Sequence, residues 1–151
     1  MGRSKDGSVA HPLFRRILVP VDFARGSQTA VQTAVGLLGG AEGEIHLLHV
    51  IETIDHIGFW SLRPFYRELR KAAVARMAPM VAKLSRGGVN AAWEILRGHR
   101  VEVILEYAVE KRADLIVLGS HRVERGSTPS GWSTVSYRVA IFAPCPVLLV
   151  K

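Results

Sequence analysis

The sequence predicts an open α/β sheet of five parallel strands with helices on both faces. Short β-branched runs alternate along the chain with segments whose apolar residues recur at helical spacing, and glycine-rich or polar breaks separate them. With 151 residues, 48% of them hydrophobic, the chain is long enough to build one buried core and too short for several.

The first strand is Arg16 to Val21, ending at Asp22. A helix follows with Ser27 as its cap, because Ala30, Val31, Ala34, Val35 and Leu38 fall on one face before Gly39-Gly40 stops it. Glu44 to Val50 is the second strand. The second helix runs from about Pro64 to Arg86, where Pro79 is expected to bend or divide it. Glu52 to Leu62 before it reads as an ordered flap or as the start of the helix. Ala91 to Leu96 is a weaker third strand, followed by a helix whose Val101, Ile104, Leu105, Ala108 and Val109 share one face. Leu115 to Leu118 is the fourth strand. A polar loop from Gly119 to Gly131 leads to a last helix, about Thr134 to Phe142, and a last strand, Val147 to Val150. Crossovers of this length pair strands in parallel. No internal linker is visible, so residues 15–151 form one domain behind a flexible leader, residues 1–14.

Composition narrows the function classes. Twenty basic against thirteen acidic residues leave a net charge of +7, which raises the prior for an anionic partner. The basic residues are dispersed. The densest group, Arg63, Arg67, Arg70, Lys71 and Arg76, is joined by no nucleic-acid motif, and nucleic acid is not expected as a partner. No apolar run is long enough to span a bilayer and the first residues lack a signal-peptide core, so a cytoplasmic protein without membrane contact is expected. The single cysteine, Cys145, excludes an internal disulfide and any multi-thiolate metal site. None of the six histidines is spaced to bind a metal with another, and no metal site is expected.

In an open parallel sheet, ligands collect beyond the carboxyl ends of the strands. The first strand delivers Asp22 there, the second Val50, and the fourth Gly119, Ser120 and His121. Asp22 suits a ribose hydroxyl or a base amino group, Gly119 a close backbone approach, and Ser133 or Thr134 a phosphate at the start of the last helix. The competing structural roles are a turn cap, a loop opening and a helix cap. There is no Walker loop and no GxGxxG. His121 lacks an identifiable catalytic partner, and Glu102, Glu106 and Glu110 lie opposite the apolar face of their helix, so they are expected to face water.

Ile17-Leu18-Val19-Pro20-Val21-Asp22-Phe23, His46-Leu47-Leu48-His49-Val50, Ala113 to His121 and Ala143 to Val150 together resemble the universal stress proteins, small domains similar to a Rossmann-like nucleotide-binding fold. The resemblance implies an adenine nucleotide, ATP with magnesium on its phosphates, held between Asp22, Val50 and the loop after the fourth strand. It also implies a homodimer paired through the last strand, Val147 to Val150. In the ATP-binding branch that loop reads as glycine, two residues, glycine, nine residues, glycine, then serine or threonine. Here Gly119 is followed by Arg122 at the second position and by Trp132 or Ser133 at the third, with Thr134 and Val135 behind. Arg122 either blocks the phosphate path or pairs with a phosphate. A further departure is Gly98-His99-Arg100, where the family often has proline in place of Arg100. Three readings remain: a regulatory stress-response domain that binds a nucleotide and at most hydrolyses it slowly, a dimeric interaction module without cofactor, and an enzyme on small phosphorylated substrates using His121.

Overall fold

The computed structural model of the chain describes residues 13–55, 59–120 and 134–151, and of residues 59–61 the backbone alone. Among the described residues five strands alternate with four helices: β1 (Arg16–Pro20), α1 (Arg25–Leu38), β2 (Glu44–Glu52), α2 (Phe59–Arg86), β3 (Ala91–Gly98), α3 (Arg100–Glu110), β4 (Leu115–Gly119), α4 (Val135–Phe142) and β5 (Val147–Val150). They form one parallel sheet in the order β3-β2-β1-β4-β5. The order reverses at β1, so crossovers leave to opposite faces on either side of the β1–β4 junction.

Side-chain alternation sorts the core into two layers. Ile17, Val19, Ile45, Leu47, Leu115 and Val117 point to one face, where α1 covers them with Ala30, Val31, Ala34 and Leu38 and α2 with Met77 and Val81. Leu18, Leu48, Val50, Ile116 and Leu118 point to the other, under Val101, Ile104, Tyr107 and Ala108 of α3 and Val139 of α4. The central strands are apolar on both faces because both faces are covered. Each such side chain, when fully buried, contributes about 1.5–3 kcal/mol. At the start of the sheet Phe14 packs against the first layer.

Several local expectations change. Helix α1 starts at Arg25 with Ala24 as its N-cap and no side-chain cap, because the Ser27 hydroxyl is engaged by Asp22 instead. Pro79 does not divide α2, which runs through both Pro64 and Pro79 and begins at Phe59, so Glu52 to Leu62 includes the start of that helix. Tyr66 accepts the Ile54 N–H at 2.9 Å and ties the connection to α2. On α3 the buried face is centred between Ile104 and Ala108. That places Tyr107 inside at 2% exposure and leaves Val109, on the opposite flank, 63% exposed. Glu102, Glu106 and Glu110 are exposed, as their spacing implied.

The lower end of the sheet is stapled by one carboxylate. Asp114 accepts the backbone N–H of Arg15 at 2.8 Å and of Arg16 at 3.0 Å, while its own N–H donates to the Arg16 carbonyl at 2.9 Å. Asp114→Ala is expected to lower unfolding free energy by about 1–2 kcal/mol, two charge-assisted bonds discounted for exposure, with the m-value unchanged. Urea titration of both proteins checks this.

Candidate functional site

β1 stops before its neighbours do. Its pairing with β4 ends at Leu18 and Ile116, while its pairing with β2 continues to Pro20 and Leu48. In a parallel strand the N–H and C=O of one residue leave on the same side and alternate along the chain. Val21 donates to the Leu48 carbonyl at 2.8 Å, so Val21 faces β2 and the ring nitrogen of Pro20 faces β4. That nitrogen carries no hydrogen, so it can give β4 no bond. The strands part there, and a cleft of about 710 Å³ opens at the carboxyl edge.

The same alternation aims backbone groups into it. Leu48 faces β1, and so does Val50 two residues on, but β1 has ended at that level. The Val21 carbonyl on that side is taken by His49 Nδ1 at 2.7 Å, so the Val50 N–H and C=O on the β1 side have no β1 partner among the described residues, and Val50 lines the cleft while β2 continues to Glu52 on its β3 side. The Val50 side chain is buried under α3 at 7% exposure, so only its backbone is available to the cleft.

Asp22 stands beside them at the end of β1. Its Oδ1 accepts the Ala24 N–H at 2.9 Å and the Ser27 hydroxyl, whose oxygen in turn accepts the Asp22 N–H at 2.9 Å. This is an Asx-type turn that leads into α1. Burial works to raise the Asp22 pKa, but the Ser27 hydroxyl, the backbone N–H groups of Ala24 and Asp22, and the Arg100 charge together bring it below the usual 3.8. The carboxylate is thus ionised and oriented, and Oδ2 takes no hydrogen bond among the described residues.

Gly119 has a structural role in addition to its place in the cleft lining. A Cβ there would lie 2.6 Å from the Gly26 carbonyl carbon and 2.7 Å from its oxygen. The missing side chain lets the first turn of α1 rest on the end of β4. Ser120 donates its N–H to Val150 at 2.7 Å, and its hydroxyl accepts from Lys151 Nζ at 3.2 Å. Thr134 caps α4, with Oγ1 accepting the Tyr137 N–H at 3.4 Å, and Val135 follows. Asp22, Val50, Gly119, Ser120, Thr134 and Val135 all line the one cleft. Arg122 and Ser133 lie outside the described residues, as do His121 and Trp132.

Sequence reasoning missed the four other lining residues with ionisable side chains: Arg25, His49, Arg100 and Lys151. His49 Nδ1 is 2.7 Å from the Val21 carbonyl, which places the proton on Nδ1 and leaves Nε2 as an acceptor. Burial holds its pKa below 6.5, against the Val21 carbonyl, which favours the charged ring. Arg100 Nε is 3.0 Å from Glu52 Oε2. The one signal for any of these was the arginine at the start of α3, where the resembled motif has proline. Three cations and one carboxylate give the described lining a positive balance, and neither α1 nor α4 has an acidic residue in its first turn. That field favours an anion. Cys145 is not a competing centre, since burial and then the Asp114 charge push its thiol pKa up.

Comparison with known proteins agrees with this architecture. A profile described as the universal stress protein family matches residues 13–151. The chain belongs to that family. Its relatives include the universal stress protein MJ0531 of Methanocaldococcus jannaschii, 30% identical over 151 residues, 92% of this chain and 83% of that protein. The structure of the universal stress protein UspA from Lactobacillus plantarum superposes with a TM-score of 0.71 at 26% identity, covering 91% of this chain and 97% of that one. Two universal stress proteins with the same fold, each 21% identical, were solved with ligands: one from Arabidopsis thaliana with AMP bound, TM-score 0.65, covering 91% of both chains, and one in complex with cAMP, TM-score 0.62, covering 91% of this chain and 97% of its own.

The Asp22 turn predicts a pH dependence. A carboxylate whose folded pKa lies below its unfolded value stabilises the fold above about pH 4 and loses that contribution as pH falls through the folded value. Ser27→Ala removes the hydroxyl donor, so the Asp22 pKa rises and the acid-induced loss of stability attributable to it shrinks. NMR titration of the Asp22 carboxyl, with urea titrations at pH 7 and pH 3, measures both.

Proposed function

We propose that this universal stress protein binds an adenine nucleotide in the β1–β4 cleft and acts as a regulatory rather than strongly catalytic domain. The observation that carries the reading is the backbone pair of Val50, one donor and one acceptor, unpaired by β1 among the described residues and lining the same cleft as the Asp22 carboxylate. A planar base that offers both an acceptor and a donor along one edge satisfies that pair. Asp22 then takes a ribose hydroxyl or the base amine, and the cations with the α4 N-terminus take the phosphates. The AMP and cAMP of the two fold relatives support an adenine nucleotide as the ligand class.

ATP with magnesium is the proposed form. Asp22 is the only carboxylate among the described lining residues, so the metal would arrive on the phosphates rather than at a protein site. No base is poised for hydrolysis in the described lining, where the one imidazole, His49, is tied to Val21 and packed 4.6 Å from the Phe23 ring. A cytoplasmic site of action belongs to the same proposal; no described helix is long and apolar enough to cross a membrane. Calorimetric titration with ATP, ADP and AMP is expected to show saturable binding, weakened about tenfold or more by Asp22→Ala, the factor for one charge-assisted bond. A folded chain that takes up no nucleotide at millimolar concentration refutes the proposal and leaves the cofactor-free interaction module.

A homodimer through β5 completes the proposal. β5 is an edge strand with no second neighbour among the described residues. Leu148 on it is 38% exposed, and Ile141 and Phe142 at the end of α4 are 56% and 65% exposed. An open apolar edge pairs readily with its own copy about a twofold axis. Leu148→Glu is expected to convert the dimer to a folded monomer in sedimentation equilibrium. A native chain that sediments as a monomer overturns this assembly.

A further inference from the structure

Phe23 follows Asp22 directly and has φ +64°, a left-handed backbone that a bulky aromatic residue rarely adopts. A strained residue next to a binding group persists only where the surroundings over-determine it. Phe23 is partly buried against the core, and two neighbours hold it through specific contacts. On one side the Phe23 ring packs against His49, with centroids 4.6 Å apart and planes tilted by 36°. Against its ring also lies the Arg76 guanidinium of α2, 4.4 Å from the centroid. Arg76 Nη2 also donates to the Phe23 carbonyl at 3.2 Å, so one side chain grips both ring and backbone of the same residue.

That grip bears on the cleft. The peptide after Phe23 carries the Ala24 N–H that Asp22 Oδ1 accepts, and His49, under the Phe23 ring, lines the cleft. We propose that Arg76, which is not among the residues lining the cleft, is a positioning residue for the ligand: it holds Phe23 in its left-handed conformation and thereby fixes the Asp22 turn that meets the nucleotide. The proposal rests on the nucleotide reading for its effect on affinity. It makes α2, on the α1 side of the sheet, part of the binding apparatus.

The test is a double-mutant cycle on the full chain, read in two ways. Arg76→Met keeps an apolar stem and loses the charge and the donors. It is expected to weaken ATP binding by about tenfold in calorimetry, the factor that one cation–π contact with one hydrogen bond represents. Phe23→Gly reaches the left-handed region unaided, so a further Arg76→Met in that chain is expected to change affinity by less than about twofold. Arg76→Lys keeps a cation and a donor and is expected to recover part of the loss. Amide exchange at Ala24 reads the turn without ligand and is expected to quicken several-fold in Arg76→Met with Phe23 present. Equal losses of affinity in both backgrounds, or unchanged Ala24 exchange, overturn the proposal. If the native chain takes up no ATP, the nucleotide reading falls, and the exchange measurement still decides the role of Arg76. Should Arg76→Met fail to fold, Arg76→Lys is compared with the native chain, where unchanged affinity and exchange overturn the proposal.

Discussion

The early end of β1 is the constraint on which the site depends. A proline nitrogen facing β4 gives no hydrogen bond, so β1 and β4 separate at Pro20 while β2 and β3 run on together. Had β1 continued beside β2, Val50 would spend its backbone groups on the sheet. Because β1 stops, Asp22 turns into α1 at the level where those groups are open, and the Gly26–Gly119 contact brings the start of α1 down onto β4. The groups that line the cleft are part of the scaffold itself, and the cleft sits where the sheet order reverses.

The charge excess divides according to what each cation touches. Helix α2 holds seven of the twenty basic residues and one acid, Glu68. Of the seven, Arg70 donates to the Ile95 carbonyl at 2.7 Å, and Arg76 grips Phe23. Arg25, Arg100 and Lys151 line the cleft instead. Net charge alone suggested an anionic partner anywhere on the surface. The packed structure assigns part of that charge to tethering the β1–α1 turn and part to one concave edge.

Legibility in the sequence followed the range of the interaction. Strands and helices were readable because period-two and period-3.6 apolar patterns are local, and the two layers follow from them once both faces are covered. Boundaries were less so. Helix α1 starts before Ser27, since the Ser27 hydroxyl finds Asp22, a partner outside the helix. Pro79 was expected to bend or divide α2, and the helix runs through it undivided, with Met77 and Val81 on either side of it in the core. Val109 was placed with the buried face of α3 because spacing shows which residues are neighbours on a helix but not where the sheet meets it.

The sequence by itself determined the architecture, the family and the delivery of Asp22, Val50, Gly119, Ser120, Thr134 and Val135 to one edge, because these follow from local pattern and strand polarity. Only the tertiary structure decided how each is held there. Gly119 is a glycine because the Gly26 backbone occupies the place of its Cβ, and Val50 lies beyond the last residue pair of β1 and β2. Arg100 and Lys151 join the cleft, and Arg76 supports it, through contacts between residues far apart in the chain. No pattern along the chain encodes such contacts, because they depend on where two separately specified elements come to rest against each other.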